Sequence, residues 1–291
     1  MLILALCYCG LESPSFCLLY DEVTHMPPKS KLGQNFLIDP HAAERIVDAL
    51  GDLSGRTIVE IGPGRGAITD MLVRRAKHVI AVEFDASLAA VLRDRFTPGQ
   101  LTLVEQDVLD FDFAAASLRA GERLSVAGNL PYYITSPILL KLASSHASLA
   151  TAALMVQREV ADRVVAAPGS RDYGLLSVTV QMYGPVERLF TLPPEAFSPP
   201  PEVHSRVFRW RFAPRFAELG VPEDRFLAFV RQAFAQKRKT LANNLRAAGV
   251  EAKTAAEAVE QAGIDPRARA EMLSVETFAA LYRLLEKQEP D

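Results

Sequence analysis

A turn that carries an amide, a proline and a tyrosine follows a buried apolar segment near the middle of the 291-residue chain. Residues 124–127 are mostly apolar, and their side chains alternate in the way that predicts a buried strand. Asn129-Leu130-Pro131-Tyr132 follows directly after Gly128. Ligands of an open α/β sheet bind at the carboxyl ends of its strands. The sequence therefore predicts a ligand-binding corner at this turn.

The oxygens of this turn suit a reaction in which an amine must act as a nucleophile. The exocyclic amine of adenine is a poor nucleophile because its lone pair is delocalised into the ring. The side-chain oxygen of Asn129 and the carbonyl of Leu130 could accept its N–H bonds and stabilise the positive charge that grows as it attacks an electrophilic carbon. Pro131 stiffens the turn, and Tyr132 can stack on the base. The alternative is a plain strand-to-loop turn, which Asn-X-Pro commonly forms.

Three other strands predict a nucleotide-like site in the same sheet. The predicted buried strand 57–61 leads into Gly62-Pro63-Gly64-Arg65-Gly66, where the backbone can approach a ligand closely. The Gly-x-Gly-x-Gly spacing favours a cofactor without a pyrophosphate. Glu83 ends the next strand, twenty-one residues after Gly62, where an acid can bind ribose hydroxyls, and Asp107 follows the third strand, where it can meet an adenine amine. The alternative for either acid is a helix N-cap.

The remaining pattern predicts a mostly parallel, doubly wound sheet followed by helices. Further strands are predicted at 78–84, 101–106, 150–157, 177–183, 186–192 and 207–212, the last of which closes the sheet. Helices are predicted after the N-cap Asp39, from the glycine loop to 75, and at 135–144, 158–167, 223–235, 240–248, 253–263 and 275–287. Residues 26–212 are thus expected to form the ligand-binding domain and 213–291 a helical domain.

The first twenty-five residues read as an extension. All three cysteines, Cys7, Cys9 and Cys17, lie there, so the rest of the chain has no disulfide framework and a reducing compartment such as the cytoplasm is expected. No Lys or Arg precedes Lys29, so the basic part of a signal peptide is missing, and the apolar start is too short to span a membrane. Met26 looks like a more natural beginning, and 1–25 is expected to be disordered or a misplaced start.

The charge pattern points to nucleic acid only locally. The net charge of −3 gives no global sign of such binding. The segment 231–246 contains no acid, and the predicted phosphate contacts lie within it at Lys237, Arg238, Lys239 and Arg246. A solvated helix face is the alternative.

A proline-rich segment, Phe197-Ser198-Pro199-Pro200-Pro201-Glu202-Val203-His204-Ser205, precedes the last predicted strand. Its stiff path could hold Phe197 opposite Tyr132, with a base between the two rings. The alternative is a rigid linker with a buried phenylalanine. No cluster of Cys, His or acidic residues accompanies His204, so no metal site is predicted.

Taken in order, these motifs resemble those of the ribosomal RNA adenine dimethyltransferases, from about residue 29 to the C-terminus. They are Gly33-Gln34-Asn35-Phe36-Leu37, Glu60-Ile61-Gly62-Pro63-Gly64-Arg65-Gly66, Asn129-Leu130-Pro131-Tyr132, the proline-rich segment, and Lys237-Arg238-Lys239-Thr240-Leu241. The chain is most similar to the branch of the family that dimethylates two adjacent adenines of small-subunit (16S) ribosomal RNA. Leu175 and Ala242 stand where that branch commonly has basic residues.

The resemblance implies a Rossmann-like class I methyltransferase sheet with helices on both faces, plus a small C-terminal all-helical domain that binds RNA. It implies S-adenosylmethionine as the cofactor, contacted by Asn35, Leu37, Gly62, Gly64, Glu83, Asp107 and Asn129. It implies a catalytic site formed by Asn129, Leu130, Pro131, Tyr132 and Phe197, in which Tyr132 and Phe197 hold the target adenine. It also implies a cytoplasmic enzyme of ribosome biogenesis that meets its RNA in an assembling 30S particle, with a monomer as the default state.

Three alternatives remain at this point. A large-subunit methyltransferase of the antibiotic-resistance type more often has Ile in place of Leu130 and lacks the Lys-Arg-Lys-Thr-Leu run. A non-catalytic RNA-binding or ribosome-assembly factor predicts a broken cofactor set. A nicotinamide oxidoreductase is disfavoured by the spacing of the glycines.

Overall fold

A computed structural model describes residues 34–287, so the predicted extension 1–25 lies outside the described residues. The described chain divides into two compact units. The first contains residues 34–161 and 185–213, and the second contains 162–184 and 214–287. Residues 162–184, which the sequence placed with the sheet, thus pack with the C-terminal helices. The assignment of a separate function to each part of the chain stays a prediction.

Strands and helices are numbered here in chain order. The strands are β1 (Phe36–Leu37), β2 (Thr57–Ile61), β3 (His78–Glu83), β4 (Leu101–Glu105), β5 (Leu124–Asn129), β6 (Leu149–Gln157), β7 (Val186–Leu192), β8 (Phe197–Ser198) and β9 (Ser205–Arg211). The α-helices are α1 (Pro40–Asp48), α2 (Thr69–Arg75), α3 (Ala86–Arg95), α4 (Phe113–Ala120), α5 (Thr135–Ser144), α6 (Arg158–Val164), α7 (Leu175–Met182), α8 (Phe216–Leu219), α9 (Glu223–Phe234), α10 (Leu241–Ala247), α11 (Ala252–Gln261) and α12 (Val275–Glu286).

Seven strands of the first unit form one sheet in the order β4-β3-β2-β5-β6-β9-β7. Strands β2 to β6 run parallel, whereas β9 is antiparallel to both β6 and β7. The prediction of a mostly parallel sheet is therefore confirmed. The prediction that 207–212 closes the sheet is wrong, because β9 lies between β6 and β7 and the edge strand is β7.

The centre of the sheet places three of the predicted motifs side by side. Every residue of β2 is buried, including its two polar residues, Thr57 and Glu60. Ile61 at the end of β2 is in register with Val82 of β3 on one side and with Gly128 of β5 on the other. The glycine loop, Glu83 and Asn129 therefore all begin at the same edge of the sheet.

A second, two-stranded sheet joins parts of the chain that are far apart in sequence. Strand β1 pairs antiparallel with β8, with Leu37 opposite Phe197, and the N–H of Ile38 donates to the carbonyl of Ala196 at 2.9 Å. The lead-in segment and the proline-rich segment are thereby fixed to each other. Asp39 then caps α1 by accepting bonds from the backbone N–H groups of His41 and Ala42, as its position before Pro40 predicts.

The predicted strand 177–183 is wrong, because the structure has helix α7 there. Its sequence, Leu-Leu-Ser-Val-Thr-Val-Gln-Met, is apolar and rich in β-branched residues, which favours a strand locally. Burial on nearly all sides removes the polar face from which a helix is recognised in a sequence. The hydroxyl of Ser177 accepts from the N–H of Gly174 and donates to the carbonyl of Arg163, which fixes the start of the helix.

The second unit is helical in its described part. Helices α9 to α12 confirm the four predicted C-terminal helices within two residues at each end. Their core is aromatic, with edge-to-face contacts among Phe226, Phe229, Phe278 and Tyr282. The turn before α10 is fixed by Asn244, whose amide donates to the carbonyls of residues 233 and 236.

Candidate active site

A cavity of about 390 Å³ opens at the carboxyl ends of β2 to β5 in the first unit. Most of the predicted site residues line it. They are Asn35, Gly62, Gly64, Glu83, Asp107, Asn129, Leu130, Pro131 and Tyr132. The structure thus brings together residues from four strand ends and from the lead-in segment, where the strand pattern places a ligand.

The side chain of Asn129 is held in one orientation and leaves an acceptor unused. Its Nδ2 donates to the backbone carbonyl of Asn35 at 3.0 Å. Its Oδ1 is buried and has no hydrogen-bond partner among the described residues. Because an unpaired buried oxygen is costly, this atom marks a place where a ligand donor is expected. The amide is therefore oriented to accept a hydrogen bond in the cavity.

The glycine loop is held directly to the acid at the end of β3. Gly62 and Gly64 have φ angles of +61° and +57°, a region that favours glycine. The N–H of Gly64 donates to Oε2 of Glu83 at 3.0 Å, and the N–H of Asp85 donates to Oε1 at 3.0 Å. Each carboxylate oxygen can accept more than one bond. Glu83 is thus fixed in place with acceptor capacity left for hydroxyl groups.

Asp107 both caps a turn and lines the cavity. Its Oδ1 accepts from the N–H of Leu109 at 2.9 Å and so caps the short 3₁₀ helix Val108–Asp110. The helix-cap alternative is therefore correct for one oxygen, and the capping bond directs the carboxylate at the ligand space.

Tyr132 is anchored by a residue that the motif analysis did not single out. Its hydroxyl lies 2.6 Å from Oγ of Ser205, a fully buried residue at the start of β9. Burial raises the pKa of Tyr132, and the hydrogen bond with Ser205 partly opposes that rise. The hydroxyl of Tyr132 is therefore protonated at physiological pH. The side chain is held by the backbone at one end and by Ser205 at the other. Only the position of Ser205, at the end of the proline-rich segment, could have indicated this contact.

Leu37 and Phe197 do not line the cavity. Both side chains are buried, and the two residues face each other across the β1–β8 pair. The structure thus favours the buried-phenylalanine alternative for the position of Phe197. Contacts of these two residues with a cofactor or a base stay predictions.

Two exposed aromatic residues line the cavity and were missed in the sequence. Phe84 directly follows Glu83 and is 64% exposed, and Tyr133 directly follows Tyr132 and is 58% exposed. In each case an aromatic residue next to a predicted site residue could have indicated this position in the sequence. The other lining residues that were not predicted include Gln34, Gln106, Val108 and Ile134.

Glu60 is a fully buried carboxyl directly before the glycine loop. Burial is the main cause that raises the pKa of Glu60 from 4.5 to about 8, and repulsion by Glu83 and Asp70 adds to the rise while Thr69 opposes it. Its Oε2 has no hydrogen-bond partner among the described residues. Glu60 is therefore protonated at neutral pH and adds no charge beside the loop.

The basic residues predicted for RNA lie on the surface of the second unit. Lys237, Arg238, Lys239 and Arg246 are all exposed, and no ion pair involving them is found among residues 34–287. Lys239 and Arg246 also line an open cavity with a volume of about 590 Å³, together with Gln236 and Asn243. Cations without acidic partners are available to phosphate groups.

Neither a membrane span nor a metal site is found in the described part of the chain. None of its helices has the length and hydrophobicity needed to cross a bilayer. Nor do three or more His, Cys, Asp or Glu side chains of residues 34–287 gather in a metal-binding arrangement.

The strand order, the glycine loop and the acids at two strand ends define a Rossmann-like class I methyltransferase. A family model described as ribosomal RNA adenine dimethylase matches residues 27–287. The chain belongs to this family. The prediction of an S-adenosylmethionine-dependent ribosomal RNA adenine dimethyltransferase is thereby confirmed.

Relatives and solved structures agree with this placement. The chain is 58% identical over 259 residues to a ribosomal RNA small subunit methyltransferase A of Acidobacterium capsulatum, covering 89% of this chain and 91% of the relative. It is 51% identical over 271 residues to the protein of that name in Koribacter versatilis, covering 89% and 95%. A dimethyladenosine transferase from Plasmodium falciparum has the same fold, with a TM-score of 0.74, 24% identity and coverage of 87% of this chain and 98% of that one. The 23S rRNA methyltransferase ErmE also shares the fold, with a TM-score of 0.67, 24% identity and coverage of 87% and 100%.

Proposed function

We propose that the protein transfers methyl groups from S-adenosylmethionine to the exocyclic amines of two adjacent adenines in small-subunit (16S) ribosomal RNA. The observation that carries this proposal is the buried, unpartnered Oδ1 of Asn129 in a cavity at the strand ends. The small-subunit target is supported by the names of the relatives from Acidobacterium capsulatum and Koribacter versatilis.

The residues around the cavity fit S-adenosylmethionine. Glu83 retains acceptor capacity for ribose hydroxyls, and Asp107 presents a carboxylate at the end of the neighbouring strand for the adenine amine. Gly62 and Gly64 let the backbone approach the ligand without side chains. When bound, the cofactor supplies an electrophilic methyl carbon on a sulfonium. Of the predicted contacts, Leu37 has the weakest structural support, because its side chain does not line the cavity.

The chain's own part in the reaction is to orient the target amine and stabilise its developing charge. Asn129 Oδ1 and the carbonyl of Leu130 accept the N–H bonds of the amine, and alignment with the methyl carbon supplies much of the rate. No base is needed before attack, because the proton leaves after the nitrogen becomes cationic. Tyr132 stacks on the target base from a position that Ser205 fixes. A monomethylated amine keeps one N–H, so one of these two acceptors still holds it for the second transfer.

The RNA is held in part by the basic surface of the second unit, Lys237, Arg238, Lys239 and Arg246. These exposed cations without acidic partners suit backbone phosphates. The substrate is the small-subunit RNA within an assembling 30S particle in the cytoplasm, and the protein acts as a monomer.

Two features weigh against the alternatives. A large-subunit target is disfavoured by Leu130 and by the Lys-Arg-Lys-Thr-Leu run that begins at Lys237, and the likeness to ErmE at 24% identity concerns the fold. A non-catalytic factor is disfavoured because Gly62, Glu83 and Asp107 line one cavity with Asn129.

Transfer of labelled methyl groups to ribosomal subunits that lack the modification tests the proposal. The wild-type protein should label small subunits at two adjacent adenines and leave large subunits unlabelled. Labelling of large subunits alone, or of neither subunit, contradicts the proposal.

The Asn129→Ala variant tests the acceptor role in the same assay. We expect a loss of roughly 10² or more in kcat, by analogy with removal of an oxyanion-hole donor, with the fold retained. Gln100→Ala removes an exposed amide outside the cavity and serves as the matched control. Turnover near the wild-type value in Asn129→Ala would show that another group activates the amine.

A further inference from the structure

Tyr133 occupies a different environment from its neighbour Tyr132. The hydroxyl of Tyr132 is bound to buried Ser205, whereas Tyr133 is 58% exposed and lines the cavity. A large aromatic ring that is exposed at the rim of a cavity has unused apolar surface, which a ligand can cover. The ring of Tyr133 is therefore more exposed to a ligand than that of Tyr132, whose hydroxyl is held by Ser205.

Tyr133 lines the same cavity as the two acids, Glu83 and Asp107. Burial raises the pKa of Tyr133, and the charges of Asp107 and Glu83 raise it further. Tyr133 follows β5, but Glu83 lies on β3 and Asp107 follows β4, two and three strands away in the sheet. Neighbouring strands are about 4.8 Å apart, so these acids lie on the order of 10 to 14 Å from the line of β5. The cavity that Tyr133 lines therefore extends from the end of β5 to the ends of β3 and β4.

Phe84 lines the same cavity from the opposite side of β2. It follows Glu83 at the end of β3 and is 64% exposed. Two exposed rings thus flank the space beside the acids assigned to ribose and adenine. An adenosine group bound there would shield both rings from water.

We propose that Tyr133 retains the cofactor by covering the adenosine part of S-adenosylmethionine at the cavity mouth, facing Phe84. The proposal rests on the proposed function of the site, because it takes S-adenosylmethionine as the ligand. It assigns Tyr132 to the RNA base and Tyr133 to the cofactor, so that adjacent residues serve different substrates.

Equilibrium binding to the full-length protein tests this assignment. The ligands are S-adenosylmethionine, its demethylated product S-adenosylhomocysteine, and adenosine as a competitor. Tyr133→Ala should raise the Kd of all three by a similar factor of about ten, a change that equals 1.4 kcal/mol, because all three share the covered group. Tyr133→Phe keeps the ring and should stay within about twofold of wild type. Leu118→Ala, at an 84% exposed position outside the cavity, is the control.

Binding of small-subunit RNA by the same variants completes the test. Tyr133→Ala should bind RNA with wild-type affinity. Unchanged affinity for S-adenosylhomocysteine together with weaker RNA binding would assign Tyr133 to the RNA and overturn the proposal. Unchanged affinity for every ligand would overturn it as well, while leaving the proposed function intact. If the wild-type protein itself bound no S-adenosylmethionine, the result would contradict the proposed function as well as the role of Tyr133.

Discussion

The two polar side-chain atoms of Asn129 have different surroundings. Nδ2 donates to the carbonyl of Asn35, so only Oδ1 is left for the proposed contact with the reacting amine. An aspartate could not donate to that carbonyl, and a glutamine would add a methylene to a confined site. The need for one donor and one acceptor on a short side chain explains why an amide stands at this position.

The contact between Tyr132 and Ser205 predicts a coupled pair of substitutions. Tyr132→Phe and Ser205→Ala each remove the same hydrogen bond, so each should lower kcat by roughly fivefold with little change in KM for S-adenosylmethionine. The double variant should be no worse than either single one, because neighbours that share one interaction are not additive. Steady-state kinetics of the three variants, with exposed Ser54→Ala as a control, measures this. If the loss of kcat in the double variant equalled the product of the two single losses, the two side chains would act independently.

Glu60 predicts a pH dependence of stability. Its pKa is raised from 4.5 to about 8 in the folded protein, so folding favours the protonated form. The stability that this carboxyl contributes is complete below about pH 4.5 and is lost as the pH rises through about 8. Glu60→Gln has no proton to lose, so its Tm relative to wild type should rise by on the order of 5 °C between pH 5 and pH 9. Thermal unfolding at a series of pH values measures the difference, and parallel curves would contradict the prediction.

At the scale of elements, the site depends on how closely β2 and β5 approach at their carboxyl ends. A Cβ atom on Gly128 would lie 2.8 Å from the carbonyl oxygen of Ile61, a backbone atom that cannot move aside as a flexible side chain does. The absence of a side chain at Gly128 therefore lets the two strands stay paired up to Gly128 itself, directly before Asn129.

Gly128→Ala should consequently disturb both stability and catalysis. We expect a loss of about 1–3 kcal/mol in the free energy of unfolding, as for other overpacked sites, and a lower kcat because Asn129 shifts. Gly99→Ala has open space around its new methyl group and should change stability by less than about 0.5 kcal/mol. Denaturant unfolding of both variants provides the comparison. Equal stability of the two would mean that the strands separate at little cost.

Elements with a clear local signal could be predicted from the sequence, and those shaped by their surroundings could not. β2 and the capped start of α1 follow from local residue types. α7 was missed because burial on nearly all sides hides its period. In the site, the strand-end rule located Glu83, Asp107 and Asn129. By contrast, the bond from Ser205 to Tyr132 spans 73 residues, so only three-dimensional packing reveals it.

At the scale of the whole molecule, a chain with a net charge of −3 must bind a polyanion through a local surface. We propose the exposed basic residues 237–239 of the second unit as this surface, which is apart in sequence from the cavity. Their position after α9, with no acid between 231 and 246, keeps the local charge positive.

Reversing this charge should weaken RNA binding more than the change in net charge explains. In Lys237→Glu/Lys239→Glu we expect a higher Kd for small-subunit RNA and a flatter salt dependence. The slope should fall by about 0.7 for each single-strand phosphate that the protein no longer neutralises. Arg74→Glu/Lys77→Glu makes the same change in net charge at exposed positions of the first unit. Titrations at several salt concentrations distinguish the two. Equal effects of both variants would reassign residues 237–239 to a solvated face.

The pairing of β1 with β8 has a consequence for the order in which the molecule is made. Phe36 and Ser198 are partners although 162 residues separate them, and Asn35 next to β1 holds the amide of Asn129. While the chain is being translated, β1 has no partner strand until residue 198 has left the exit tunnel. A nascent chain therefore carries the glycine loop and the Asn-Leu-Pro-Tyr turn long before the two-stranded sheet beside them can form. The enzyme completes the contacts around Asn129 only in the last third of its synthesis.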